Sequence, residues 1–163
     1  MLHKALEQFL TDVHWDDPDY LLIDLPPGTG DISLSIAQFL PKAELIVVTT
    51  PQPAAQKVAP RAAYMAEKVN HQIRAVVENM SWFRGEDDKR YDIFGSGGGE
   101  ALANELDVPL LGQVPLVTEL REGGDVGRPI VVSNPESEAA NIFREMARLL
   151  TEEYLPTRRY NCL

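Results

Sequence analysis

Short apolar runs spaced at least a helix-length apart constrain this chain more than any other feature. Residues 20–25 (YLLIDL), 45–49 (LIVVT), 73–77 (IRAVV) and 110–114 (LLGQV) are largely apolar without in–out alternation, and 130–132 (IVV) is a weaker echo. Such runs read as strands buried on both faces, the habit of parallel sheets. A parallel pair needs a crossover of helical size between its strands. Helical spacing is present where it is needed: Leu2, Ala5, Leu6, Phe9, Leu10 and Val13 share one face of residues 2–13. Further helices are expected over 30–40, 53–69, 98–106 and 136–153. The pattern predicts an α/β fold, a mostly parallel sheet with helices on both faces. We expect one domain over 1–155 and a polar tail over 156–163, with RGEDDKR (84–90) as a solvated loop or hairpin tip.

Composition narrows the function classes. A length of 163 residues suits one domain with a real core. The formal net charge of -10 argues against nonspecific binding to nucleic acid or anionic lipid, both of which want a basic face. The only cysteine is Cys162, so neither an intrachain disulfide nor a Cys-x-x-Cys site can form within the chain. The opening MLHKALEQFL lacks the apolar core and cleavage site of a signal peptide. No run approaches the length that spans a bilayer. The expectation is a soluble, cytoplasmic chain with no nucleic-acid or membrane partner.

The segment DYLLIDLPPGTGD, residues 19–31, carries the densest chemical signal. Asp24 closes an apolar run, where an open α/β sheet presents side chains to a ligand crevice. In phosphate-transfer sites an aspartate so placed holds magnesium, directly or through water. Gly28, after two prolines, would let a backbone N–H approach a phosphate oxygen. A second reading stands beside it: Asp24 caps the next helix, and Pro and Gly serve only as turn formers.

The string DYLLIDLPPGTGDISLSIAQ resembles the Walker B and switch II segment of the Mrp-type ATPases. These are iron–sulfur cluster carriers within the deviant-Walker group of P-loop NTPases that includes MinD-like proteins. The resemblance continues in order through VVTTPQ, VVENMS, FGSGGG, LLGQVPL and REGGDVGRPIV. It implies a homodimeric, ATP-binding and ATP-hydrolysing fold with nucleotide at the subunit interface, and iron–sulfur apoproteins or assembly factors as partners. It implies Asp24 as the Walker B carboxylate and magnesium-side ligand, and Gly28 as the contact to the γ-phosphate. Asn79 matches the asparagine that reads the adenine ring, a role its donor and acceptor suit. From the residues alone, Asn79 reads in preference as the former of a strand-end turn. Pro115 and Val117 match an adenine-side loop that is often Pro-x-Asp in the family, and here valine stands at the aspartate position.

Other features do not complete a site. FGSGGGEALANEL fails the dinucleotide fingerprint, since Glu100 stands where the last glycine of G-x-G-x-x-G belongs. It reads as an anion cradle at a helix N-terminus or, in preference, as a flexible joint before a helix from about Gly98. The interval that carries Cys-x-x-Cys in most Mrp-type carriers reads RGEDDKR here, so the usual thiolate ligands of an iron–sulfur cluster are missing from it. His3, His14 and His71 lie at no metal-ligand spacing and read as surface or helix-end residues.

The lysines at 4, 42, 57, 68 and 89 all lack a Gly-Lys-Ser/Thr context, so no Walker A loop lies within these residues. The chain therefore resembles the C-terminal portion of an Mrp-type ATPase, without the strand and phosphate cradle that precede Walker B in the family. A sheet missing that strand is expected to carry a raw edge. Such a chain by itself is expected to be inactive in ATP hydrolysis, because phosphate positioning supplies most of that catalysis. A non-catalytic binding or scaffold module that keeps the fold and dimer face is the alternative. A MinD- or ParA-like positioning ATPase ranks last, because residues 136–153 carry mixed charge rather than a basic amphipathic face.

Overall fold

The computed structural model of the chain describes residues 2–16, 18–25, 35–36, 38–52 and 58–154. Its elements run α1 (Leu2–Thr11), β1 (Glu44–Thr49), α2 (Val58–Val69), β2 (Gln72–Arg84), β3 (Arg90–Tyr91), α3 (Gly98–Glu105), β4 (Leu110–Leu116), α4 (Thr118–Asp125), α5 (Ile130–Ser133) and α6 (Glu138–Arg148). A π-helical turn over Leu149–Glu153 continues α6.

Every pairing in the sheet involves β2. β1 runs parallel to it from Glu44↔Gln72 to Thr49↔Glu78, and β4 runs parallel to it from Val76↔Leu110 to Phe83↔Leu116. β3 pairs antiparallel with the end of β2 through Phe83↔Tyr91 and Arg84↔Arg90. Because Phe83 faces both Leu116 and Tyr91, β3 must lie on the edge that β1 uses, beyond the end of β1. The turn between β2 and β3 is RGEDDKR, closed by the Gly85 amide on the Lys89 carbonyl at 2.9 Å. The hairpin-tip expectation is met.

Alternation along β2 sends its side chains to two different helical layers. Val76 packs with Leu102 and Ala103 of α3, joined by Val47, Leu106, Val108 and Leu110. Ala75 faces the other way, into a cluster with Leu111, Val114 and Met146 that Ile142 and Phe143 of α6 complete. A third cluster seats Ile130 of α5 on Ala139 and Ala140 of α6. Helices therefore cover both faces of a mostly parallel sheet, as the sequence predicts. Ser137 sets the start of α6, its Oγ accepting the Ala140 amide at 3.2 Å. At the far end the Arg148 guanidinium reaches Glu145, Glu152 and Glu153 at 2.7, 3.3 and 2.8 Å.

Several expectations need correcting. Residues 20–25 form no strand, and Tyr20, Leu21 and Leu22 are exposed, Leu22 by 83%. An apolar run becomes a buried strand only when another strand pairs with its edge and helices cover its faces. Among the described residues, β1 is paired only with β2, and no described strand pairs with 20–25. Residues 130–132 lie in α5 rather than in a strand, with the Val132 and Ser133 amides both donating to the Pro129 carbonyl. Three β-branched residues are too few to separate the strand period from the helix period. α4 was not expected, because Gly123 and Gly124 depress helix propensity. Gly123 is required there nonetheless, since a Cβ would lie 2.5 Å from the Arg128 carbonyl oxygen. His71 follows α2 but is buried, its Nε2 3.0 Å from the Leu40 carbonyl oxygen. β2 also runs on to Arg84, well past the expected 73–77.

Leu102 is 1% exposed and ties α3 to β2. Leu102→Ala should lower the unfolding free energy by about 3 kcal/mol through lost burial and a residual cavity. Urea denaturation should show this as a lower midpoint with an unchanged slope.

Candidate functional site

Parallel strands end on one side, so the carboxyl ends of β1, β2 and β4 share an edge, where open α/β sheets bind ligands. β1 leads into Thr50 and Pro51, β2 passes through Glu78 and Asn79, and β4 closes at Pro115 and Leu116. β2 does not stop at Asn79. It bulges there, with a register shift between Asn79 and Phe83, and Met80 adopts a left-handed φ of 57°. That conformation is costly for a residue with a Cβ, and two hydrogen bonds hold it. The Met80 amide donates to Asn79 Oδ1 at 2.9 Å, and Ser81 Oγ donates to the Glu78 carbonyl at 3.0 Å. Asn79 thus does form a local turn, inside the strand and not at its end. Its Nδ2 has no recorded partner among the described residues.

Asn79 lies opposite Val114, the residue before Pro115. Pro115 is fully buried, while Val117 is extended (φ -130°, ψ 143°) and occupies the N-cap of α4 with no side-chain cap. The bulge after Asn79 therefore faces Pro115, while Val117 lies further along, past Leu116, which pairs with Phe83. Asp24 does not join them in the sheet; it is exposed in the irregular segment 20–25. Gly28, which resemblance makes a γ-phosphate contact, lies outside the described residues, as does Cys162.

The Gly-rich stretch has a definite place. Gly95 and Gly97 take positive φ values of 87° and 79°, and Gly97 is the N-cap of α3. A Cβ on Gly98 would lie 2.5 Å from the Pro51 carbonyl oxygen, and one on Gly99 would lie 2.6 Å from Glu78 Cβ. The glycines let α3 start hard against the ends of β1 and β2, which corrects the reading of a flexible joint. The helix start does receive an anion, but an internal one: the Gly99 amide donates to Glu78 Oε2 at 2.6 Å. Glu78 Oε1 accepts from Gln113 Nε2 of β4 at 2.7 Å. Sequence reasoning missed Glu78 and Gln113. The signal was available: a carboxylate directly after the run 73–77, read as buried on both faces, needs donors.

Among the described residues, no group of three or more His, Cys, Asp or Glu comes together to hold a metal ion. Asp24, exposed in the segment 20–25, belongs to no such group among the described residues. Asn79 offers an amide donor, and the start of α4 has no side-chain cap. A cavity of about 660 Å³ lies elsewhere, between α4, α5 and α6, lined by Leu120, Ile130 and Phe143 among others. It includes none of Asp24, Asn79, Pro115 or Val117.

A mostly parallel sheet covered on both faces, with turns and a helix start gathered at its carboxyl edge, is the frame of P-loop NTPases of the MinD-like kind. Known structures agree. The nucleotide-binding protein in complex with ADP from Archaeoglobus fulgidus superposes with a TM-score of 0.74 at 30% identity, over 96% of this chain and 60% of that one. The septum site-determining protein MinD complexed with Mg-ADP from Pyrococcus horikoshii superposes at 0.66 with 26% identity, over 93% and 56%. The family model described as ParA, NUBPL iron-transfer P-loop NTPase, matches residues 1–151, and the chain belongs to that family. Curated relatives named iron-sulfur cluster carrier protein are 50% identical over 153 residues in Mycobacterium bovis, and 47% identical over 148 residues in Escherichia coli K12. Each match covers 90% of this chain but 40% of the relative, so the chain spans about two fifths of those proteins' length.

The uncapped start of α4 gives a direct test. Valine is among the poorest N-caps, and aspartate among the best. Val117 also packs against Ile130, Ala139 and Ala140, so Val117→Thr, which keeps its shape and adds a capping hydroxyl, should stabilise the chain by about 0.5 kcal/mol, read as a raised melting temperature in thermal unfolding followed by circular dichroism.

Proposed function

We propose that this chain supplies the base-side part of an ATP-dependent iron–sulfur cluster carrier of the Mrp type. The observation that carries the reading is the bulge after Asn79, which faces Pro115 near the end of β4, just before the start of α4. There the Asn79 carboxamide would meet the adenine edge, with the free amides at the start of α4 beside it. Membership of the iron-transfer family supports the cargo, and the relatives' names support cluster carriage. In the working protein Asp24 would act on the magnesium side and Gly28 at the γ-phosphate. Magnesium, when bound, neutralises developing phosphate charge.

The same reading includes a homodimer with nucleotide at its interface, delivery to iron–sulfur apoproteins or assembly factors, and work in the cytoplasm. The cluster is cargo, and its thiolates are not those of the β2–β3 hairpin, which holds none. The phosphate cradle comes from outside these 163 residues. The chain therefore does not bind Mg-ATP tightly or hydrolyse it on its own, since phosphate contacts dominate both.

Calorimetric titration of the 163-residue chain with Mg-ATP tests this division of labour. No heat of micromolar binding is expected, and hydrolysis should not rise above the uncatalysed rate. Micromolar binding would overturn the placement of the phosphate half outside the chain.

A further inference from the structure

Glu78 is the one ionisable side chain of β2 that the fold buries, at 1% exposure. No ion pair is recorded for it among the described residues. Its donors are the Gly99 amide at 2.6 Å and Gln113 Nε2 at 2.7 Å. A buried carboxylate held only by neutral donors is an expensive way to fill space, because desolvation penalises the charge and an apolar side chain would pack there at lower cost. What the carboxylate provides is a fixed geometry. One oxygen holds the start of α3, the other holds β4, and the Glu78 carbonyl takes the Ser81 hydroxyl across the bulge. The next residue is Asn79.

We infer that Glu78 is a positioning residue of the nucleotide site, clamping β2 to α3 and β4 so that the bulge presents the Asn79 carboxamide to an adenine base. The inference rests on the base-side reading of Asn79 proposed above. Each contact has a directional demand. The Gly99 amide and the Gln113 carboxamide both donate, so residue 78 must accept twice. A glutamine at 78 turns the charge-assisted contact with Gly99 into a neutral one, and it meets Gln113 only if that carboxamide turns over to accept from its NH2 group. Exchanging the two residues restores the count: with Glu78→Gln and Gln113→Glu together, the amide oxygen at 78 accepts from Gly99 and its NH2 group donates to the carboxylate at 113.

The test is a titration of the full chain with adenosine and with guanosine, followed in ¹H–¹⁵N spectra at the amides of Asn79, Met80 and Val117. The unaltered chain should respond to adenosine and prefer it over guanosine. Glu78→Gln should weaken adenosine binding about tenfold, the scale of one charge-assisted hydrogen bond, and erase the preference. The exchanged double variant should recover both. Loss of base preference in a Glu78→Gln variant that keeps its fold is a result that a purely structural role would not produce. If the unaltered chain shows no adenosine response, the base-side reading falls and this inference with it. If the unaltered chain responds and Glu78→Gln binds with the same affinity and preference, this inference alone is overturned. Should Glu78→Gln fail to fold by circular dichroism, the double variant decides: native affinity supports the clamp, and a folded but weak binder overturns it. Should neither fold, Gln113→Met removes one donor, leaves the Gly99 contact in place, and is judged by the same two results.

Discussion

The structure depends on the double pairing of β2. Its two edges are both taken, by β1 and β3 on one side and β4 on the other, and its two faces are both covered, by α3 and α6. The middle of such a strand is largely shut off from solvent, so a polar group buried there must find its partner within the protein. Glu78 meets the demand by drawing on the first turn of α3 and on β4. The Gly-rich stretch follows from the same constraint, because α3 can donate to Glu78 only if its first residues lack a Cβ.

The sheet was legible where apolarity and pairing coincide. Residues 45–49 and 110–114 are strands in β1 and β4 because each has β2 beside it and a helix above or below. The run at 20–25 has the same composition and no strand beside it among the described residues, and composition cannot reveal a missing neighbour. Residues 130–132 failed for another reason: Pro129 opens a helical turn that three valine-like residues could not announce. α4 was hidden by its own glycines, one of which is demanded by the Arg128 carbonyl.

The candidate site divides in the same way. Asn79, Pro115 and Val117 could be matched by resemblance, and the fold sets the first two on adjoining strands, with Val117 at the helix start that follows. The bulge that shapes Asn79 was not legible, since a left-handed methionine leaves no mark in sequence. Family membership accounts for the order of the segments. The likeness to MinD-type folds describes the frame.

The central place of β2 also bears on how the chain reaches its fold. Both of its parallel neighbours lie roughly thirty residues away in sequence, one before it and one after, so neither pairing closes a short loop. Only the β2–β3 hairpin is local. Loop-closure entropy must be met twice before β2 is enclosed, which places this chain with the slower mixed α/β folders and not with helical bundles. During that interval the edges of β2 stay open. The early hairpin covers only the last residues of one of them, and the central, most apolar stretch stays open to pairing with other chains until β4 arrives.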